Sequence, residues 1–204
     1  MKNWSTTYLL TCAAIGVAGG FMLLGANWLS TLLYGVIPFF SVALAGLWLL
    51  PAVIALRLLE RPFAGLLVGL ISGLVLVPFS GYGFRSIATN LWWAFFVELA
   101  FLVVLYRFWT RWQYFAGATV VGLAYPVLAW VSFDLGSLAL WAQIAFFALT
   151  LASTLGATAV GIAISDALPR AGVARPALHR PTPPAQSRPP AAGAGTRGGR
   201  PLSF

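Results

Sequence analysis

The chain of 204 residues is 60% hydrophobic and only 8% charged, with a mean hydropathy of +0.90; soluble domains carry roughly 25% charged residues, so this is the composition of an integral membrane protein. Its formal charge of +8 sits at segment ends and in the tail, where membrane topology accounts for it and no nucleic-acid partner is expected. The single cysteine, Cys12, excludes an intramolecular disulfide and reads as a small apolar packing residue.

In chain order, spans of about 20 residues at about 1.5 Å each fit residues 8–29, 39–59, 62–79, 87–108, 113–133 and 138–164. The expected fold is an all-α bundle of six transmembrane helices. The first stretch follows Lys2, but its apolar run exceeds a secretory signal core of about 7 to 15 residues, so it reads as a retained helix. Within it, "CAAIGVAGG" sets Ala14 and Ala18 one turn apart beside Gly16, Gly19 and Gly20, which lets another helix approach closely. The uncharged "NWLSTLLYGVIP" (27–38) reads as an outer connection, with a partly inserted helix as the alternative. "FSGYGFRS" (79–86) reads as an outer turn, with a lid carrying Tyr82 and Phe84 as the alternative.

Lys2, Arg57, Arg61, Arg107, Arg111 and Arg170 fall on one side of these spans and Arg85 alone on the other. The positive-inside rule then predicts a multi-pass plasma-membrane protein with both termini in the cytoplasm. From Ala174 the composition turns to Pro, Arg, Gly and Ala, so the chain divides into a membrane domain, 1–173, and a disordered cytoplasmic tail, 174–204. His179 in that tail has no clustered Cys or acid, and no metal site is expected.

No phosphate loop, zinc-ligand cluster or nucleophile elbow occurs, so the chain is not expected to be an enzyme. Four acids are present, Glu60, Glu98, Asp134 and Asp166. Glu60 and Asp166 lie at cytoplasmic helix ends beside Arg57, Arg61 and Arg170, whereas Glu98 stands inside "TNLWWAFFVELAFLVVLYRFW". An intramembrane carboxyl costs roughly 2.5 to 3.5 kcal/mol on insertion scales, so it needs a partner or a function. Counted from the outer end it is roughly 16 Å deep, and Asn90 is rotated from it by about 80°, so the two are expected to share one cavity. Trp48 and Ser41 on the second helix face the same outer half. Gln143, Thr150 and Thr154 form a stripe on the sixth helix, and Trp130 and Asp134 share a face at the outer end of the fifth. Each has a plainer role as a helix-bridging or interfacial residue.

Taken together, "AAIGVAGG", "GLWLLPAVIALRLLERPFAGLLVGLISGL", "VELAFLVVLYRFW" and "ISDALPRAGV" resemble the substrate-binding S components of energy-coupling factor (ECF) vitamin transporters, specifically the YkoE-like family associated with thiamin and its hydroxymethylpyrimidine precursor. The resemblance runs from Met1 to Val173 and rests on the order and spacing of these segments. It implies a six-helix bundle that captures a vitamin from outside and works with a transmembrane T component and two ABC-type ATPases. ATP would be used by those subunits, with no cofactor in this chain. It further implies T-component docking through Ala14 and Ala18, and ligand contacts from Glu98 and Trp48, with Asp134 matching an acid after the fifth helix. The chain departs from the resemblance at Gly69, where family members can carry an acid, and near Trp93, where they can carry a glutamine.

The expected ligand residues are therefore Glu98, Trp48, Asn90, Gln143, Trp130, Asp134 and Thr150. The rival reading is a structural or assembly membrane protein whose Glu98 only bridges helices.

Overall fold

The computed structural model describes residues 5–36, 38–131 and 134–171; the tail expected to be disordered lies outside them. All regular structure among the described residues is helical: α1 (Thr6–Val36), α2 (Pro38–Ala43), α3 (Leu50–Leu59), α4 (Ala64–Leu76), α5 (Arg85–Val103), α6 (Arg111–Ala129) and α7 (Leu140–Ala167). A 3₁₀ segment, Ala45–Leu49, joins α2 to α3. The connections 60–63 and 104–110 lie at one end of the bundle with Arg57 and Arg111, the arginine-rich end. The turn 77–84 and Arg85 lie at the other, the far end.

Small residues set the helix spacing. A methyl group added at Gly16, Gly19 or Gly20 of α1 would come within 2.7 Å of Ile71, Pro51 or Val75, and Ser72 Oγ donates to the Gly16 carbonyl at 2.9 Å. On α4, Gly65, Gly69 and Gly73 recur one turn apart and face α5. A Cβ at Gly69 would lie 2.7 Å from the Ala94 Cβ and one at Gly73 2.7 Å from the Ile87 Cα. Without a hydrophobic drive between helices in lipid, such close backbone approach supplies much of the packing energy. A larger side chain at Gly69 would force α4 and α5 apart.

Ala14 and Ala18 lie on the other face of α1 and are exposed. The first helix thus carries two small-residue faces, glycines turned into the bundle and alanines turned out of it.

Four segments among the described residues are long and apolar enough to cross a membrane: Thr6–Leu33, Ser41–Leu59, Arg85–Val103 and Leu140–Arg170. The count of six is not reached on this criterion. At 13 residues, α4 is about 20 Å long, short of a hydrocarbon core of about 30 Å, and the tyrosine, glutamine and arginine of α6 lower its hydropathy.

Two boundaries differ from expectation in ways that shape the site. Residues 27–36, expected to be an outer connection or a partly inserted helix, continue α1 as helix, because a polar stripe of Asn27, Ser30 and Thr31 is fully compatible with helical geometry. The second span, expected to be continuous over 39–59, is broken. Pro51 at the start of α3 has no N–H to offer the turn before it. The backbone groups freed at the break are met from α7, where the Ser153 hydroxyl donates to the Ala43 carbonyl and accepts from the Gly46 N–H at 2.9 Å. Interrupted helices persist at membrane depth where a neighbouring helix satisfies them in this way.

Candidate functional site: a far-end cavity

At the far end, the break in the second span opens a cavity of about 420 Å³, within the roughly 300–1,000 Å³ range of small-molecule sites. Asn27, Ser30 and Thr31 line it from the extended α1, and Ser41, Val42, Ala45 and Trp48 from the broken span. The turn before α5 contributes Tyr82, α5 contributes Arg85, Ser86, Thr89, Asn90 and Trp93, and α6 contributes Tyr125. The Trp93 and Tyr125 rings are 4.9 Å apart, and the Ser80 and Ser86 hydroxyls are hydrogen-bonded at 2.6 Å, which pins the turn to α5.

Several polar side chains here spend their donors on their own helix. Thr31 donates to the Asn27 carbonyl at 2.8 Å, Thr89 to that of Arg85 at 3.1 Å, and the Asn90 amide nitrogen to that of Ser86 at 2.8 Å. What they retain for a ligand are acceptor lone pairs on two hydroxyl oxygens and on the Asn90 Oδ1, and the second N–H of the Asn90 amide. Arg85 adds charged donors. Aromatic faces come from Trp48, Trp93 and Tyr125.

Of the seven expected ligand residues, Trp48 and Asn90 line this cavity and Glu98 does not. Glu98 is buried near the arginine-rich end, where its Oε2 accepts the Leu66 N–H at 2.8 Å and its Oε1 accepts the Tyr106 hydroxyl at 3.0 Å. The first turn of α4 has no cap of its own; Phe63 before it is left-handed, with φ 62°. The α5 carboxyl therefore supplies the acceptor that the α4 N-terminus lacks, in the field of that helix's positive end. Leu105 and Tyr106, both at positive φ, turn the chain back so that the phenol reaches the carboxyl. Burial first, then the neighbouring Glu98, pushes the Tyr106 phenol well above its usual range, so it remains a donor. The expectation that Glu98 and Asn90 share a cavity is corrected on this geometry. They are two turns apart on α5, and α4 meets Glu98 where the cavity does not extend.

The other expected residues are also elsewhere. Thr150 is fully buried and donates to the Phe146 carbonyl at 2.8 Å. Gln143 turns away from Thr150 into an apolar groove with Leu123, Ile144 and Phe147, its amide donating to the Leu138 carbonyl at 2.9 Å. Asp134 is exposed at the far end, left-handed with φ 46°, and Trp130 is exposed beside it; neither lines the cavity. Glu60 and Asp166 are paired, with Arg57 among the expected partners and Arg111 in place of Arg61 or Arg170. Asp166 accepts from Arg57 at 3.1 Å and Arg111 at 3.0 Å, and Glu60 lies 3.9 Å from Arg57.

The sequence reading missed Asn27, Ser30, Thr31, Ser86, Thr89, Trp93 and Tyr125 as site residues. A signal was present on α5, where Arg85, Ser86, Thr89 and Asn90 make a polar stripe over two turns that ends on Trp93.

A family model described as "ABC-type cobalt transport system, permease component" matches residues 8–124, more than half of the chain. The chain belongs to that family. A solved structure described as the crystal structure of an S-component of an ECF transporter is similar with a TM-score of 0.75 at 19% identity, over 84% of this chain and 88% of that one. No curated protein matches. The fold is thus that of an ECF S component, and family and fold together are those of a multi-pass membrane transporter component rather than an enzyme.

Proposed function

We propose that this chain is the substrate-binding S component of an ECF-type importer and that the far-end cavity captures a small amino-substituted heteroaromatic nutrient, hydroxymethylpyrimidine in preference to thiamin. The observation that carries this reading is the chemistry of the cavity wall: aromatic faces, acceptor oxygens and one guanidinium, without a carboxylate among the lining residues. A planar ring stacks on Trp48 or Trp93, its amino group donates to the Asn90 Oδ1 and the Thr89 hydroxyl oxygen, and a ring nitrogen accepts from Arg85. The thiazolium of thiamin would bring a positive charge towards Arg85 with no acid to offset it.

Cobalt, named in the description of the family, suits the cavity less well. Divalent first-row metals take imidazole, thiolate or carboxylate ligands, and no group of three or more His, Cys, Asp or Glu among the described residues is placed to hold an ion.

In this reading the far end is outside, the arginine-rich end and both termini are cytoplasmic, and α4 and α6 complete a six-span bundle. A transmembrane T component docks on the exposed Ala14 and Ala18 face, and two ABC-type ATPases supply the energy. The test is extraction of the purified protein with organic solvent and mass spectrometry for a co-purifying aminopyrimidine, followed by titration of the emptied protein with hydroxymethylpyrimidine. An empty extract and a silent titration would favour a purely structural membrane protein.

A further inference from the structure

Arg85 is the one charged residue that lines the cavity, and among the described residues it makes no ion pair. The ion-paired acids, Glu60 and Asp166, are held by Arg57 and Arg111 at the other end. Asp134, the acid at the far end, does not line the cavity, and the first turn of α5 carries no acidic residue. Its placement also runs against topology. Every other described arginine sits at the opposite end, where the positive-inside rule favours it, so an arginine here calls for a local reason. A guanidinium presents donors in a planar fork matched to a carboxylate or phosphate. It stands at the start of α5, whose positive dipole end adds to the same field.

We infer that Arg85 makes the cavity selective for an anionic substituent, a carboxylate or a phosphate monoester, carried on the planar ring that Trp48 and Trp93 receive. The inference rests on the reading of this cavity as the capture site and narrows it: an anionic relative of hydroxymethylpyrimidine, rather than the neutral alcohol, is the preferred ligand. Arg85 provides the anion contact, and the acceptor oxygens of Thr31, Thr89 and Asn90 engage the opposite, donor-bearing edge of the ring. A ligand with a negative group at one edge and an amino group at the other satisfies both sets. A cationic substituent would leave the guanidinium facing a like charge.

The test uses the full chain purified in detergent and two matched series of probes, one on 4-amino-2-methylpyrimidine and one on pyridine. Each series carries hydroxymethyl, carboxylate, phosphomethyl or aminomethyl at the same ring position, and affinities are read by titration calorimetry. On at least one ring an anionic member should bind about tenfold tighter than the alcohol, the lower end of what a hydrogen bond to a charged group contributes at a partly exposed site. The aminomethyl cation should bind more weakly than the alcohol. Whichever anion leads separates a carboxylate from a phosphate ligand. In Arg85→Gln, checked by its melting profile to be folded, the anion's advantage should fall to within about twofold, and in the parent it should shrink as salt is raised. An anion that binds no tighter than the alcohol on either ring, an advantage that persists in Arg85→Gln, or no binding by any member would overturn the inference. Charge ordering on pyridine alone would sink the aminopyrimidine reading and leave this one standing, whereas pyrimidine binding without charge ordering would do the reverse.

Discussion

The two ends of this bundle use polar residues in opposite ways. At the arginine-rich end the acids are all engaged: Arg57 and Arg111 share Asp166, Glu60 lies beside Arg57, and Glu98 is met by a backbone N–H and a phenol. At the far end, Arg85 and a set of acceptor oxygens surround an open cavity. A buried acid is conspicuous in a sequence and here does structural work. The groups that line the cavity are ordinary residues, among them Ser, Thr, Asn and Trp, beside the break in the second span.

Removing Glu98 should produce the largest effect and would break the comparison most openly if it did not. Glu98→Ala leaves the Leu66 N–H and the Tyr106 hydroxyl without an acceptor, so a loss of about 2–4 kcal/mol is expected, read as a lowered melting temperature in detergent. Unchanged melting would mean that the carboxyl is not a cap. Ser153→Ala removes the hydroxyl that serves both sides of the break in the second span. It should cost about 1 kcal/mol and also weaken ligand binding, since the Ser41 to Trp48 wall of the cavity depends on that break. Full binding with lowered stability would show that the break is held by other contacts.

Smaller effects sharpen the picture. Arg111 is 69% exposed, so Arg111→Ala should change stability by no more than about 0.5 kcal/mol in a denaturation comparison; a larger loss would move the weight of the ion-pair cluster from Arg57 to Arg111. Ala14→Leu combined with Ala18→Leu should leave the isolated protein's melting and binding unchanged, because both positions point out of the bundle. Vitamin uptake by cells should nevertheless fall if this face docks a T component, and undiminished uptake would remove that assignment.

Much of the fold was legible because apolar runs of membrane length have few alternatives in a bilayer. The interior of the second span was not, since "GLWLLP" is apolar throughout and the break depends on Ser153, more than a hundred residues away. The full extension of α1 is not legible, because a short uncharged stretch reads equally as an outer connection or a partly inserted helix, although Asn27, Ser30 and Thr31 are at helical spacing and line the cavity. Trp48 and Asn90 line the candidate cavity, and their place on the far-end half of a span is legible because each is a polar or amphipathic residue. The surroundings of Glu98 are not legible from its depth below the far end alone. Measured from the other end of α5 it is only five residues from Val103, close enough for the loop carrying Tyr106 to fold back over it. Sequence depth along one helix does not reveal which neighbouring helix begins at the same level, and here that neighbour, α4, decides the role of the carboxyl.

The most direct test of this division of labour is a paired measurement of melting and of hydroxymethylpyrimidine affinity on Glu98→Gln and Trp48→Ala. The amide of Glu98→Gln keeps one acceptor and loses the charge. That variant should melt lower, by the equivalent of about 1–2 kcal/mol, and bind with the parent's affinity. Trp48→Ala should bind at least about tenfold more weakly through the lost ring contact with the smaller change in melting. A Glu98→Gln protein that melts like the parent but no longer binds would contradict the account and return the acid to the ligand site.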